Sequence, residues 1–114
     1  MVSVVIDNSG STYCNGKLMG NSNAWNLVDT FSCVAVNNDY VIAIDAIDGE
    51  ICPGSICGVG GLMATIVADN GETLHTNAQQ WKCWNAEGNR DSAPPGNWMA
   101  IDFDDSSWCA CAGL

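Results

Sequence analysis

The chain has 114 residues, enough to bury the core of one domain and too few for two. It is 47% hydrophobic and 14% charged, with the apolar share rich in Val, Ile, Ala and Trp, a composition that excludes a disordered chain and suits pleated, half-buried strands. Thirteen acids against three bases give a formal net charge of −10, which repels a phosphate backbone and makes nucleic acid and anionic membranes poor partners; no run reaches the ~18 apolar residues of a spanning helix, so no membrane insertion is expected.

In chain order, the β-branched run Val2 to Asp7 predicts a strand, and Ser11 to Cys14 resumes it after Asn8, Ser9 and Gly10, as a second strand or as one bent strand. Asn15-Gly16 supplies two residues that tolerate positive φ, so Lys17 to Met19 runs back as a hairpin. Trp25 to Val28 and Phe31 to Val36 read as strands around a turn at Asp29-Thr30. Tyr40 to Ile47 is apolar on both faces except at Asp45, the pattern of a central strand.

A Gly, Pro and Cys loop follows from Asp48 to Gly60. Gly61 to Asp69 is a strand with Leu62, Ala64 and Ile66 on one face, turned by Asn70-Gly71 into Glu72 to Thr76. Gln79 to Trp84 reads as extended, Asn85 to Asn97 as a surface loop, and Trp98 to Phe103 as a last strand, with Asp104 to Ser107 capping one short turn of helix into Trp108. Short strands joined by Gly and Asn turns, with no repeat or heptad, give an all-β sandwich or barrel over a single domain, 1–114.

Several phrases occur in a familiar order: Tyr13-Cys14-Asn15-Gly16-Lys17 with Gly20, Trp25, Tyr40-Val41-Ile42-Ala43-Ile44, Gly60-Gly61-Leu62-Met63-Ala64, Thr76 with Trp81-Lys82, and Phe103-Asp104-Asp105-Ser106-Ser107-Trp108. Together they resemble the galactose-binding-domain-like jelly rolls that accompany large glycosidases and occur in extracellular and cell-surface proteins, including those of algae. The resemblance implies a non-catalytic jelly-roll β-sandwich of mainly antiparallel strands. Members of that family carry strands ahead of the region that Val2 opens and continue past the Asp-Asp-Ser-Ser-Trp phrase. The chain therefore reads as a sandwich lacking a first strand, or as an excerpt of a longer protein.

The seven cysteines, Cys14, Cys33, Cys52, Cys57, Cys83, Cys109 and Cys111, predict structural disulfides and an extracellular location, secreted or at the cell surface. The start, MVSVVIDNSG, lacks the basic segment of a signal peptide, so a leader has been removed or the chain is a piece of something longer. Cys52 and Cys57 flank Pro53-Gly54 and form the favoured small loop; Cys109 and Cys111 point to opposite faces of an extended segment, and one of them can reach Cys83. The odd seventh cysteine implies a free thiol or a bond to another chain. Zinc is disfavoured, since the cysteine spacings and the lone His75 do not make paired knuckles.

His75 is also the only histidine, so a nucleophilic enzyme has no base near a Ser or Cys; it reads as a partly exposed strand residue. Gly58-Val59-Gly60-Gly61 lacks the Lys and Ser or Thr of a phosphate loop, and Asp104 and Asp105 read as turn caps rather than a glycosidase pair. A structural calcium is considered because the resembled fold often carries one, with Asp48 and Glu50 as weak candidates; their loop is not that of an EF-hand. Among the tryptophans, Trp25, Trp81 and Trp108 fall in the family's structural phrases and are assigned to the core, whereas Trp84 and Trp98 flank the polar loop and are the candidates for stacking a sugar.

Two functions follow, neither catalytic. One is a structural or interaction module whose partners are copies of itself or neighbouring domains, joined by strand contacts and disulfides into a cell-surface or fibrous assembly. The other is a carbohydrate-binding module that stacks a glycan on Trp84 or Trp98. The chain holds no Asn-x-Ser/Thr acceptor, so any attached sugar needs O-linkage.

Overall fold

The computed structural model describes residues 1–7, 9–24, 26–47, 61–77, 79–84 and 96–110, with the side chains of Asp7, Ile47, Cys109 and Ala110 excepted. Strict alternation builds its first strand. In β1 (Val2–Asp7), Val2, Val4 and Ile6 are fully buried, and Ser3 and Val5 lie half-buried on the other face. Position 8 separates it from β2 (Ser9–Cys14), which belongs to a different sheet. Of the two readings of this region, two strands is the one observed, and Ser9 and Gly10, expected in the turn, belong to β2, where they pair with Ile47 and Ala46 of the next strand in that sheet.

β2 buries Gly10 and Thr12 and turns at Asn15 (φ 50°) and Gly16 (φ 86°) into β3 (Lys17–Ser22). Positive φ at both positions is the conformation of a type I′ hairpin turn, and Asn-Gly adopts it at low cost. The Asn15 side chain also ties the turn to its surroundings: Nδ2 donates to the Val34 carbonyl at 2.9 Å, and Oδ1 accepts from the Val41 amide at 2.8 Å.

β4 (Asp29–Phe31) lies where a turn was expected. Its residues pair with β1 as Val2↔Phe31, Ser3↔Thr30 and Val4↔Asp29, so the demand of β1 for a neighbour overrides the local turn preference of Asp-Thr. The flanking segments are not strands among the described residues: Val28 and Val34 are exposed, and the chain reverses at Asn37 and Asn38, both with positive φ, bridged by Val36↔Asp39. Trp25 lies outside the described residues.

β5 (Ile42–Ile47), β6 (Gly61–Val67) and β7 (Thr73–His75) follow. Leu62, Ala64 and Ile66 face the core as predicted, while Met63 is 72% exposed. At the β6–β7 turn, the Gly71 amide donates to the Ala68 carbonyl and the Ala68 amide to the Glu72 carbonyl, both at 2.9 Å, with Gly71 at φ 87°. This is a three-residue loop with glycine at the left-handed position rather than a two-residue turn.

The strands form two main antiparallel sheets, β4-β1-β6-β7 and β3-β2-β5, stacked as a β-sandwich. Between them Val2, Val4, Ile6, Ala64 and Ile66 form the core, with Met19, Cys33, Ile42, Ile44, Leu62, Leu74 and Trp81 packed against it. Each fully buried aliphatic side chain contributes roughly 1.5–3 kcal/mol. The second sheet presents small residues inward. A Cβ added to Gly10 would stand 2.5 Å from the Asp45 carbonyl oxygen and 2.7 Å from Ile6 Cδ1, so glycine is what admits Ile6 there. Thr12 and Ser22 share that inner face, and their buried hydroxyls have no hydrogen-bond partner among the described residues.

The disulfide Cys14–Cys33 ties the end of β2 to the segment after β4 and so links the two sheets. Cys83 is also disulfide-bonded. The expected Cys52–Cys57 loop and Cys111 lie outside the described residues.

Two further expectations are corrected. Among the described residues β5 pairs with β2 alone and lies at the edge of its sheet, with β2 in the centre; its two-sided apolar pattern comes from the core on one face and the aromatic segment on the other. Residues 98–103 form consecutive turns instead of a strand, with the Ala100 amide donating to the Asn97 carbonyl at 3.0 Å and the Phe103 amide to the Ala100 carbonyl at 3.1 Å. The remaining strands, β8 (Lys82–Cys83) and β9 (Cys109–Ala110), make a separate two-stranded ribbon.

Candidate functional site

The ribbon fixes the site. Its register sets Cys83 opposite Cys109, which places the adjoining residues Trp84 and Trp108 across from each other, their ring centroids 5.3 Å apart and their planes inclined at 50°. Phe103 joins them edge-on, its ring 5.5 Å from that of Trp108. The polar phrase between Phe103 and Trp108 shapes the return. Asp104 Oδ1 accepts from the Ser106 amide at 2.9 Å, and the Trp108 amide donates to the Asp105 carbonyl at 2.9 Å. The Ser106 side chain and backbone amide hold the exposed Asp104 carboxyl below its ordinary pKa, which keeps the cap charged. The expected cap at Asp104 is present, but what it closes at 104–107 is a hydrogen-bonded turn and not the turn of helix expected there.

A cavity of about 130 Å³ opens beside these rings. Trp81, Trp98 and Trp108 form its aromatic walls, Val41, Ile42 to Ile44 of β5 and Leu62 of β6 its apolar floor, and Lys82 and Asp105 bring opposite charges to it. Trp81 is oriented by its indole Nε1–H, which donates to the His75 carbonyl at 3.2 Å. An Asn77 turn supports that position: Oδ1 accepts from the Gln79 and Gln80 amides at 3.0 and 2.7 Å, and Nδ2 donates to the His75 carbonyl at 2.8 Å. Trp98 meets Tyr13 edge-on at 5.6 Å, which anchors the turn segment to the outer face of the β3-β2-β5 sheet.

The four described tryptophans therefore converge, which the sequence did not reveal. Trp84 and Trp98, the expected stacking residues, are half-buried and belong to the same aromatic constellation; Trp84 lies in the cluster and Trp98 in the cavity wall. Trp81 packs on the core as expected, but Trp108 is shared between cluster and cavity. Phe103 was missed because it was read as the end of a strand; the signal available was its place just before a capped turn ending in tryptophan. His75 is exposed on β7, where its Nδ1 lies 3.0 Å from Thr65 Oγ1.

Asp48 and Glu50 lie outside the described residues, and among the described residues no group of three or more His, Cys, Asp or Glu is placed to hold a metal ion. No helix of the described residues is long and apolar enough to cross a membrane. Comparison with protein-family models, curated proteins and solved structures gives no match.

Proposed function

We propose that the protein is a non-catalytic carbohydrate-binding module, related in kind to the galactose-binding jelly rolls, which acts outside the cell. The observation that carries this reading is the half-exposed cluster of Trp84, Phe103 and Trp108 beside a cavity walled by Trp81 and Trp98. Aromatic faces bind the C–H surface of a pyranose, and a few polar groups then fix its orientation. The disulfides at Cys14–Cys33 and Cys83 support an oxidising location.

The test is a glycan array followed by calorimetry on the best neutral ligand, comparing the wild type with Trp84→Ala and Trp108→Ala variants whose circular dichroism is unchanged. Loss of a well-packed aromatic contact lowers affinity by about 10-fold or more. Binding that survives both substitutions, or no retention of any glycan, overturns the reading.

A second reading is favoured by a different surface. Leu27, Val28, Val34 and Val36 are 60%, 65%, 79% and 51% exposed, a density of apolar side chains around β4 that suits contact with another protein. Under this reading the domain is an interaction module in a cell-surface assembly. Concentration-dependent sedimentation that disappears with Val34→Lys supports it, and a concentration-independent monomer refutes it.

A further inference from the structure

A carbohydrate site in this chain has few long polar side chains to work with, since the sequence holds three Lys and Arg in total and Lys82 is the basic residue at the cavity. The fold supplies polar groups of another kind. β5 pairs with β2 on one side and has no neighbour on the other among the described residues. Its hydrogen-bonding phase follows from the turn before it: the Asn15 amide donates to the Val41 carbonyl, so Val41 faces β2. The antiparallel register continues through Cys14↔Ile42, Tyr13↔Ala43 and Thr12↔Ile44, and in such a ladder alternate residues turn their amide and carbonyl toward the partner strand. Ala43 therefore bonds inward to β2, while Ile42 and Ile44 turn theirs outward. Both outward-facing residues line the tryptophan-walled cavity.

We propose that the β5 edge is the polar half of the sugar site: the main-chain N–H and C=O groups of Ile42 and Ile44 hold the hydroxyls of a neutral pyranose whose apolar face lies on the tryptophans. This rests on the carbohydrate reading and deepens it. The cavity, about 130 Å³, is well below the ~300–1,000 Å³ that encloses a drug-sized ligand, and so takes one sugar unit. The ligand is neutral because Lys82 and Asp105 offset each other at the cavity, while the net charge of −10 on the chain is adverse to uronates.

The experiment is an NMR titration of the whole chain with methyl β-D-galactopyranoside and methyl β-D-glucopyranoside, with sodium glucuronate as the charged comparison. The indole N–H signals of Trp81 and Trp108 are expected to shift with a neutral pyranoside. The backbone amides of Ile42 and Ile44 shift with them and exchange several-fold more slowly, while the amide of Ala43 stays near its original position. Indole shifts without the Ile42 and Ile44 response leave the carbohydrate reading standing and overturn the strand-edge proposal. An equal response to glucuronate overturns its neutral-ligand part. No indole response to either pyranoside removes the strand-edge proposal for these sugars, and the glycan array decides separately on carbohydrate binding.

Discussion

Replacing the Cys14–Cys33 pair by alanine tests how the two sheets are held together. The disulfide closes a loop with a sequence separation of 19 between β2 and the segment after β4. In the chain-entropy model a loop of about 20 residues restricts the unfolded chain by ~11 cal/mol/K, or about 3.3 kcal/mol at 25 °C. Against an unfolding entropy of roughly 2.1 cal/mol/K per residue, about 240 cal/mol/K for the chain, this lowers the thermal midpoint by about 14 °C. Scanning calorimetry of Cys14→Ala/Cys33→Ala beside the wild type, both with their other disulfides intact, measures the shift. A midpoint within ~2 °C of the wild type would refute the reasoning, because the model assigns the stabilisation to the unfolded chain and not to native contacts.

Gly10→Ala is expected to destabilise the fold by roughly 1–3 kcal/mol, since the new methyl meets the fixed Asp45 carbonyl oxygen as well as Ile6; urea unfolding checks this, and an unchanged midpoint contradicts the close approach. Thr12→Val removes a buried hydroxyl that has no partner among the described residues and is expected to stabilise by about 1 kcal/mol in the same assay, a loss of stability being the contrary result. Asp104 is expected to titrate below its ordinary 3.8. Its lowered pKa means that the cap contributes stability above the unfolded value and loses it as pH falls through the folded one; carboxyl NMR that finds titration at or above the ordinary value sinks this assignment.

Much of the sandwich was legible where a strand carries its own signal. Val2, Val4 and Ile6 alternate, Leu62, Ala64 and Ile66 do the same, and Asn15-Gly16 defines its hairpin by the φ values that the turn requires. The errors lie where partners decide. Asp29-Thr30 has turn chemistry and becomes strand because β1 lies beside it, with Ser3 and Thr30 hydroxyls 3.5 Å apart across the pair. Tyr40 to Ile47 reads as central because it is apolar on both faces, yet that pattern says nothing about whether an edge is paired, and among the described residues β5 has β2 as its one strand neighbour. The site was harder still. Trp84 and Trp98 were singled out by their flanks, but Trp81, Phe103 and Trp108 join them through the register of a two-residue ribbon, and no spacing in the sequence encodes that pairing.

The step from β1 to β2 has a consequence for how the sandwich is specified. The two strands, separated by position 8 alone, each lie between two neighbours in their own sheets. Bringing the sheets together around this point therefore incurs little of the loop-closure entropy that a long connection carries. The same tether makes the two registers check each other. A one-residue slip of β1 would turn Val2, Val4 and Ile6 outward and, passed through so short a link, would also expel Gly10 and Thr12 from the inner face of the other sheet. An error in either sheet is thus opposed by the packing of both.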